Sequence, residues 1–189
     1  MITIITDGSC DNKTGKGGWA AVIRNSATLV ELTGWETGTT SNRMELMAAI
    51  ESLRSIKTPS EVTVVTDSTY LLKTMHHKWY ERWFASANNR PNMDLWKQLV
   101  GLCQYHDVSW VKVKGHSGDY WNTRVDRLAE LARLEKMSHQ LELDHVGDVR
   151  CEAESYGKRC YLYLNHSGDC AYCKEGSVFL TSWEASNAT

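Results

Sequence analysis

The chain has 189 residues, 42% of them hydrophobic, enough for one full domain with a buried core plus an appendage. Its 21 basic residues are outnumbered by 23 acidic ones, a formal net charge of −2, which excludes attraction of the whole molecule to a polyanion and leaves only local charge for binding nucleic acid. No run approaches the roughly 18 apolar residues of a membrane span, and Met1 leads into Ile2-Thr3-Ile4-Ile5 without a basic and then apolar leader, so a cytoplasmic location is expected.

Residues 2 to 7 predict a strand. Gly15, Gly17 and Gly18 punctuate a turn into a second, Trp19 to Arg24, and a third, Leu29 to Glu36, closes an antiparallel meander. Thr40, Ser41 and Asn42 are candidate N-caps for a helix whose Leu46, Ala49, Ile50 and Leu53 fall on one face, with Glu45 in the capping-box position after Asn42. Val62 to Thr66 read as a buried parallel strand ending at Asp67. Helical segments follow, then a strand near 108 to 113 and a last helix near 119 to 136. Three antiparallel strands followed by helix-strand-helix-strand-helix imply an α/β fold with one mixed five-stranded sheet, its ligands gathered at the carboxyl ends of strands.

Four carboxylates stand out in matching settings: Thr6-Asp7-Gly8-Ser9, Asn42-Arg43-Met44-Glu45-Leu46, Thr66-Asp67-Ser68, and Asp126 on the last helix, four residues after Asn122 and so on its face. Just before that helix lies a glycine-punctuated loop with one histidine, Lys114-Gly115-His116-Ser117-Gly118. Taken singly, Glu45 can be a capping-box acid and Asp67 the cap of the next helix. Packed together without metal, the four would repel, and at least one pKa should rise; hard, oxygen-seeking magnesium would hold them ionised.

These segments, in this order and at these separations, resemble type 1 ribonuclease H over residues 1 to 136. The resemblance implies endonucleolytic cleavage of the RNA strand of an RNA/DNA hybrid, leaving a 3′-hydroxyl and a 5′-phosphate, by a monomer with no membrane partner. It further implies that Asp7, Glu45, Asp67 and Asp126 bind two magnesium ions, for which manganese can substitute, while His116 handles a proton or helps product leave. Asn122 matches a position near the scissile phosphate. Gly8, Ser9, Cys10, Asn12, Ser41 and Asn42 match positions facing the hybrid's minor groove, where the 2′-hydroxyl separates RNA from DNA. Thr40, Asn12 and Asn92 match a pocket for a phosphate of the DNA strand, and Trp79 and Trp83 a pair that packs on that strand. Thr69 stands where many bacterial relatives carry glutamine. Between His76 and Asn92 those relatives have a longer, lysine-rich protrusion, whereas this chain has Lys78, Arg82 and Arg90 against Glu81. The aromatic stripe there can equally be the buried face of a helix. A nuclease of the same fold acting on branched DNA or DNA ends, and a catalytically silent binding module, remain alternatives; the Asn42–Leu46 and Lys114–Gly118 segments weigh against the first, and four mutually repelling acids against the second.

The remaining chain differs in character. Residues 1 to 136 carry 17 basic and 15 acidic groups, residues 137 to 189 only 4 and 8, so the tail is not a basic clamp. Residues 137 to 148 read as a linker and 149 to 189 as a small cysteine-rich extension. Its Cys151, Cys160, Cys170 and Cys173 include one CxxC pair, pointing to one structural zinc ion, with disulfides or plain packing as alternatives and His145 or His166 as substitute ligands.

Overall fold

The computed structural model describes residues 1–86, 90–113 and 119–135, together with the strand residues 139–143, 154–155, 158–159, 170–174 and 177–181. The five expected strands are β1 (Ile2–Asp11), β2 (Lys16–Arg24), β3 (Leu29–Thr37), β4 (Glu61–Thr66) and β5 (Asp107–Lys112). They lie in the order β5-β4-β1-β2-β3, antiparallel from β1 to β3 and parallel from β1 through β4 to β5. The helices are α1 (Ser41–Ser55), α2 (Thr69–His76), α3 (Trp79–Ala85), α4 (Met93–Tyr105) and α5 (Tyr120–Glu135). Among the described residues, no helix is long and apolar enough to cross a membrane.

Two boundaries differ from the sequence expectation. Strand β1 does not stop at Asp7 but stays paired with β2 to Asp11, while its parallel ladder with β4 ends at Ile5 opposite Val65. Asp7 therefore sits mid-strand on one flank and beyond the end of the ladder on the other. Within the stretch read as a linker, β6 (His139–Leu143) pairs antiparallel with β3 and adds a sixth strand. The chain divides into one compact unit of Met1–Val146 and another of Gly147–Thr189. The second contains two hairpins, β7 (Glu154–Ser155) with β8 (Lys158–Arg159), and β9 (Cys170–Lys174) with β10 (Ser177–Thr181). Cys151 and Cys160, and the side chains of Cys170 and Cys173, lie outside the described residues.

Helix α1 buries the expected face. Leu46, Ala49, Ile50 and Leu53 join Ile4, Ala21, Ile23, Val62 and Val64 of the sheet and Leu95, Trp96 and Leu99 of α4 in one apolar cluster. Residues of opposite pleat phase, among them Ile5, Ala20 and Val22, are also buried, and α5 supplies Val125, Leu128 and Ala129 to that side. Gly18 fixes how closely α5 sits: a Cβ there would lie 2.3 Å from the Ala129 carbonyl oxygen and 2.4 Å from the Arg133 nitrogen. On the same face Arg124 of α5 donates two hydrogen bonds to Glu31 of β3, Nε to Oε1 at 2.8 Å and Nη2 to Oε2 at 2.7 Å.

With side chains 9% and 1% exposed, this fork is a buried charge pair, and removing one member strands the other. Arg124→Ala should therefore cost about 3–5 kcal/mol in denaturant unfolding, and Glu31→Met/Arg124→Leu should recover most of that loss. A single-variant loss below about 1 kcal/mol would show that the pair does not tie α5 to the sheet.

Candidate active site

The site is built where β1 meets α1. A Cβ on Gly8 would lie 2.4 Å from the Glu45 backbone nitrogen and 2.6 Å from the Met44 carbonyl carbon, so only glycine lets the strand pass against the helix. Glu45 is thereby carried next to the strand that bears Asp7. The N-cap of α1 is Thr40, whose hydroxyl accepts from the Arg43 N–H at 3.4 Å, not Asn42. Glu45 is thus beyond the capping-box position and turns to Ser68, which donates its hydroxyl proton to Oε2. Ser68, in turn, is the N-cap of α2, accepting from the Leu71 N–H at 3.2 Å. Neither acid is spent on capping, and both capping readings of Glu45 and Asp67 are set aside.

Electrostatics joins the four acids. The Asp7 carboxyl is pushed up to about 7, first by burial and then by the charges of Asp67 and Asp126, with a smaller push from Glu45 and a counter-pull from the Gly8 N–H. Burial also raises Glu45, its bond from Ser68 opposing and the Asp67 charge adding to the rise. Burial thus leads both rises, and the mutual repulsion of neighbouring carboxylates adds to them. Four oxygen donors from β1, α1, α5 and the β4–α2 junction fit a hard divalent cation. Among the described residues no three His, Cys, Asp or Glu side chains close into a ready metal cage; a cation that keeps waters and takes phosphate oxygens needs no such cage.

Asn122 is 6% exposed, and its Oδ1 has no hydrogen-bond partner among the described residues. Asp119 accepts from the Asn122 backbone N–H at 2.9 Å at the start of α5. His116 lies outside the described residues. Ser9 and Cys10 continue β1 past Asp7. The Ser9 hydroxyl accepts from Arg133 Nε at 3.1 Å, and the Cys10 thiol donates to the Thr39 carbonyl at 3.5 Å. Asn12 is exposed in the turn after β1, Ser41 and Asn42 form the first turn of α1, and Thr69 is exposed at the start of α2.

Around Asn92 the structure adds residues that the sequence reading passed over. Asn92 has left-handed backbone geometry, φ 64°, accepts from Arg43 Nη1 at 3.4 Å and donates to the Tyr70 hydroxyl at 3.3 Å. Tyr70 also accepts from Trp96 Nε1 at 2.8 Å, and Arg43 forks onto Asp94 at 3.2 and 3.1 Å. Arg43 thus links the helix start that carries Thr40 to Asn92. Its place inside the Asn42–Leu46 segment was the available signal. The aromatic stripe is only partly a buried face: Trp83 packs edge-on against Trp96 at 5.9 Å, whereas Trp79 stacks on exposed His77 at 5.4 Å, and none of α3 is fully buried.

Comparison with known proteins bears on the same span. The family model RNase H matches residues 1–133. Ribonuclease H of Chlorobaculum parvum is 44% identical over 141 residues, covering 71% of this chain and 97% of that protein. Ribonuclease H of Caldanaerobacter subterraneus subsp. tengcongensis is 42% identical over 135 residues, covering 68% and 88% respectively. Among solved structures, LC9-RNase H1, described as a type 1 RNase H with the type 2 active-site motif, superposes with a TM-score of 0.66 at 28% identity, covering 77% of each chain. Agreement over nearly the whole length of such relatives, and over the strands and helices that carry the four acids, fixes the kinship: the chain belongs to the RNase H family.

Proposed function

We propose that this chain is an endonuclease that hydrolyses the RNA strand of RNA/DNA hybrids with two divalent cations, magnesium or in its place manganese, leaving 3′-hydroxyl and 5′-phosphate ends. The observation that carries this reading is the gathering of Asp7, Glu45, Asp67 and Asp126 at one half-buried place, where burial first and the neighbouring carboxylates second push Asp7 up to about 7. Family membership supports the hybrid as substrate. Those four carboxylates would hold the cations, which would acidify an attacking water and offset charge on the departing sugar oxygen.

The protein's own part is positioning. Ser68 orients Glu45 through its hydroxyl, and Gly8 keeps α1 close enough for Glu45 to share Asp7's surroundings. Asn122, its buried oxygen unpaired among the described residues and one helical turn before Asp126, is assigned to the substrate near the scissile phosphate, and His116 to proton handling or product departure. Small side chains and open backbone at Gly8, Ser9, Cys10, Asn12, Ser41 and Asn42 suit a wide, shallow minor groove lined by 2′-hydroxyls, with Thr69 a short contact at its margin. Trp79 and Trp83 are assigned to the DNA strand, and Thr40, Asn12 and Asn92 to one of its phosphates.

Asp67→Asn keeps the shape of the side chain and removes its charge. Cleavage of end-labelled hybrid at saturating magnesium should fall below roughly a tenth of the parent rate while hybrid binding persists; a higher residual rate would refute the ligand assignment. His116→Ala should slow turnover on the order of ten- to a hundredfold without abolishing it, since a positioned acid or base contributes a bounded factor. Collapse of magnesium affinity in that variant would instead make His116 a ligand.

Stability gives a test that needs no turnover. Without metal, Asp7 holds a proton up to about pH 7 in the folded chain but only to about 3.8 once unfolded, so this carboxyl makes stability fall as pH rises through that window. Metal-free Asp7→Asn should lose the dependence and melt several degrees above the parent near pH 8, about 2–4 °C corresponding to each kcal/mol in a chain of this size. Magnesium should raise the parent's Tm and barely move the variant's. A metal-free parent no less stable near pH 8 than near pH 5 by this group's contribution, with variant and parent melting together, would remove the case for repulsion at the site.

A further inference from the structure

We infer that a cationic cleft between α2 and β5 grips a backbone phosphate of the RNA strand beyond the scissile one, an assignment that rests on the proposed hybrid cleavage and deepens it. The cleft has a volume of about 170 Å³ and is lined by Thr69, Leu72, Lys73, His76, His77 and Lys112. A water in the liquid takes about 30 Å³, so this space holds a phosphate group together with a few waters.

Its chemistry selects an anion. Two ammonium groups, two imidazoles and a hydroxyl meet there, and among the described residues no carboxylate lines the space. Among the described residues neither Lys73 nor Lys112 has an acidic partner. A metal cation would be repelled by the two ammonium charges, and an apolar guest would strip their water without replacing it. A phosphate oxygen suits lysine, a compact charge with three rotatable donors. Leu72, only 6% exposed, belongs to the packed side of α2 and so ties the cleft to the core.

Position then selects the strand. Thr69 opens α2 two residues after Asp67, and Lys112 lies opposite Thr66 in the β4–β5 register, one residue before Asp67. Both walls of the cleft thus flank the chain that presents Asp67 to the strand being cut. Tyr70, the neighbour of Thr69, is committed elsewhere, against Trp96 at 5.4 Å in the cluster that also holds Trp83. The two strands of a duplex therefore divide around α2, DNA on the aromatic cluster and RNA on the lysines.

The test is binding of hybrid in EDTA, followed by fluorescence anisotropy, using the full chain and K73A/K112A. At about 0.1 M salt the double variant should bind on the order of tenfold more weakly, with a salt slope lower by about one, since each phosphate neutralised contributes about 0.9. Neutral methylphosphonates placed one at a time should reveal an RNA-strand position that weakens the parent and not the variant, and K73R/K112R, which keeps the charge, should behave as the parent. Unchanged affinity and slope in K73A/K112A, or a sensitive position on the DNA strand instead, overturns the assignment. A parent that binds hybrid but does not cut it with magnesium refutes the nuclease reading while the phosphate contact stays decided by the binding data; a parent that does not bind hybrid refutes both.

Discussion

Strand β1 is hydrogen-bonded on both flanks only over its first residues. Its parallel register with β4 covers Ile2 to Ile5, and its antiparallel register with β2 continues to Asp11. Beyond Ile5 the chain of β4 leaves the sheet through Asp67 and Ser68, opening a notch at the centre of the sheet rather than at its rim. Side chains alternate along a strand, so Asp7 falls on the α5 side and Gly8 on the α1 side. Carboxylates from helices on opposite faces can come into one field only at such a notch, where the sheet no longer separates them.

The acids at the notch oppose the fold that holds them. Burial and mutual repulsion raise Asp7 and Glu45, which means that the charged forms weaken the metal-free protein. The opposing constraints lie outside the charged cluster. Gly8 admits α1, Gly18 admits α5, and the Glu31–Arg124 fork ties α5 to the third strand of the meander. None of these contacts depends on whether a cation is bound, so the framework can present repelling groups without collapsing around them. A cation then gains affinity from the repulsion it relieves.

Much of this was legible in the chain. Period-two and helical spacing gave the sheet order's parallel and antiparallel halves and the buried face of α1, because Leu46, Ala49, Ile50 and Leu53 admit no other packing. The four acids were legible as a set through their flanking residues. Their local roles were legible only in part: Thr40, one of three candidates, caps α1, and Ser68 rather than Asp67 caps α2, since a cap is decided by where the backbone leaves extended geometry, not by residue type alone. Arg43 and Tyr70 escaped notice because their partners, Asp94, Asn92 and Trp96, are remote in sequence. Strand β6 escaped because His139-Gln140-Leu141-Glu142-Leu143 is short and polar, and its pairing is set by the edge of β3, not by any pattern of its own.

That sixth strand lies outside the 1–133 span matched by the family, yet it belongs to the same sheet. Opposite it, Leu29 to Thr33 of β3 would otherwise present a row of unpaired backbone donors and acceptors. Bare edges of that kind recruit strands from other molecules. Residues 139–143 pair that edge from within the same chain, so the margin of the meander is closed by backbone that lies beyond the family span.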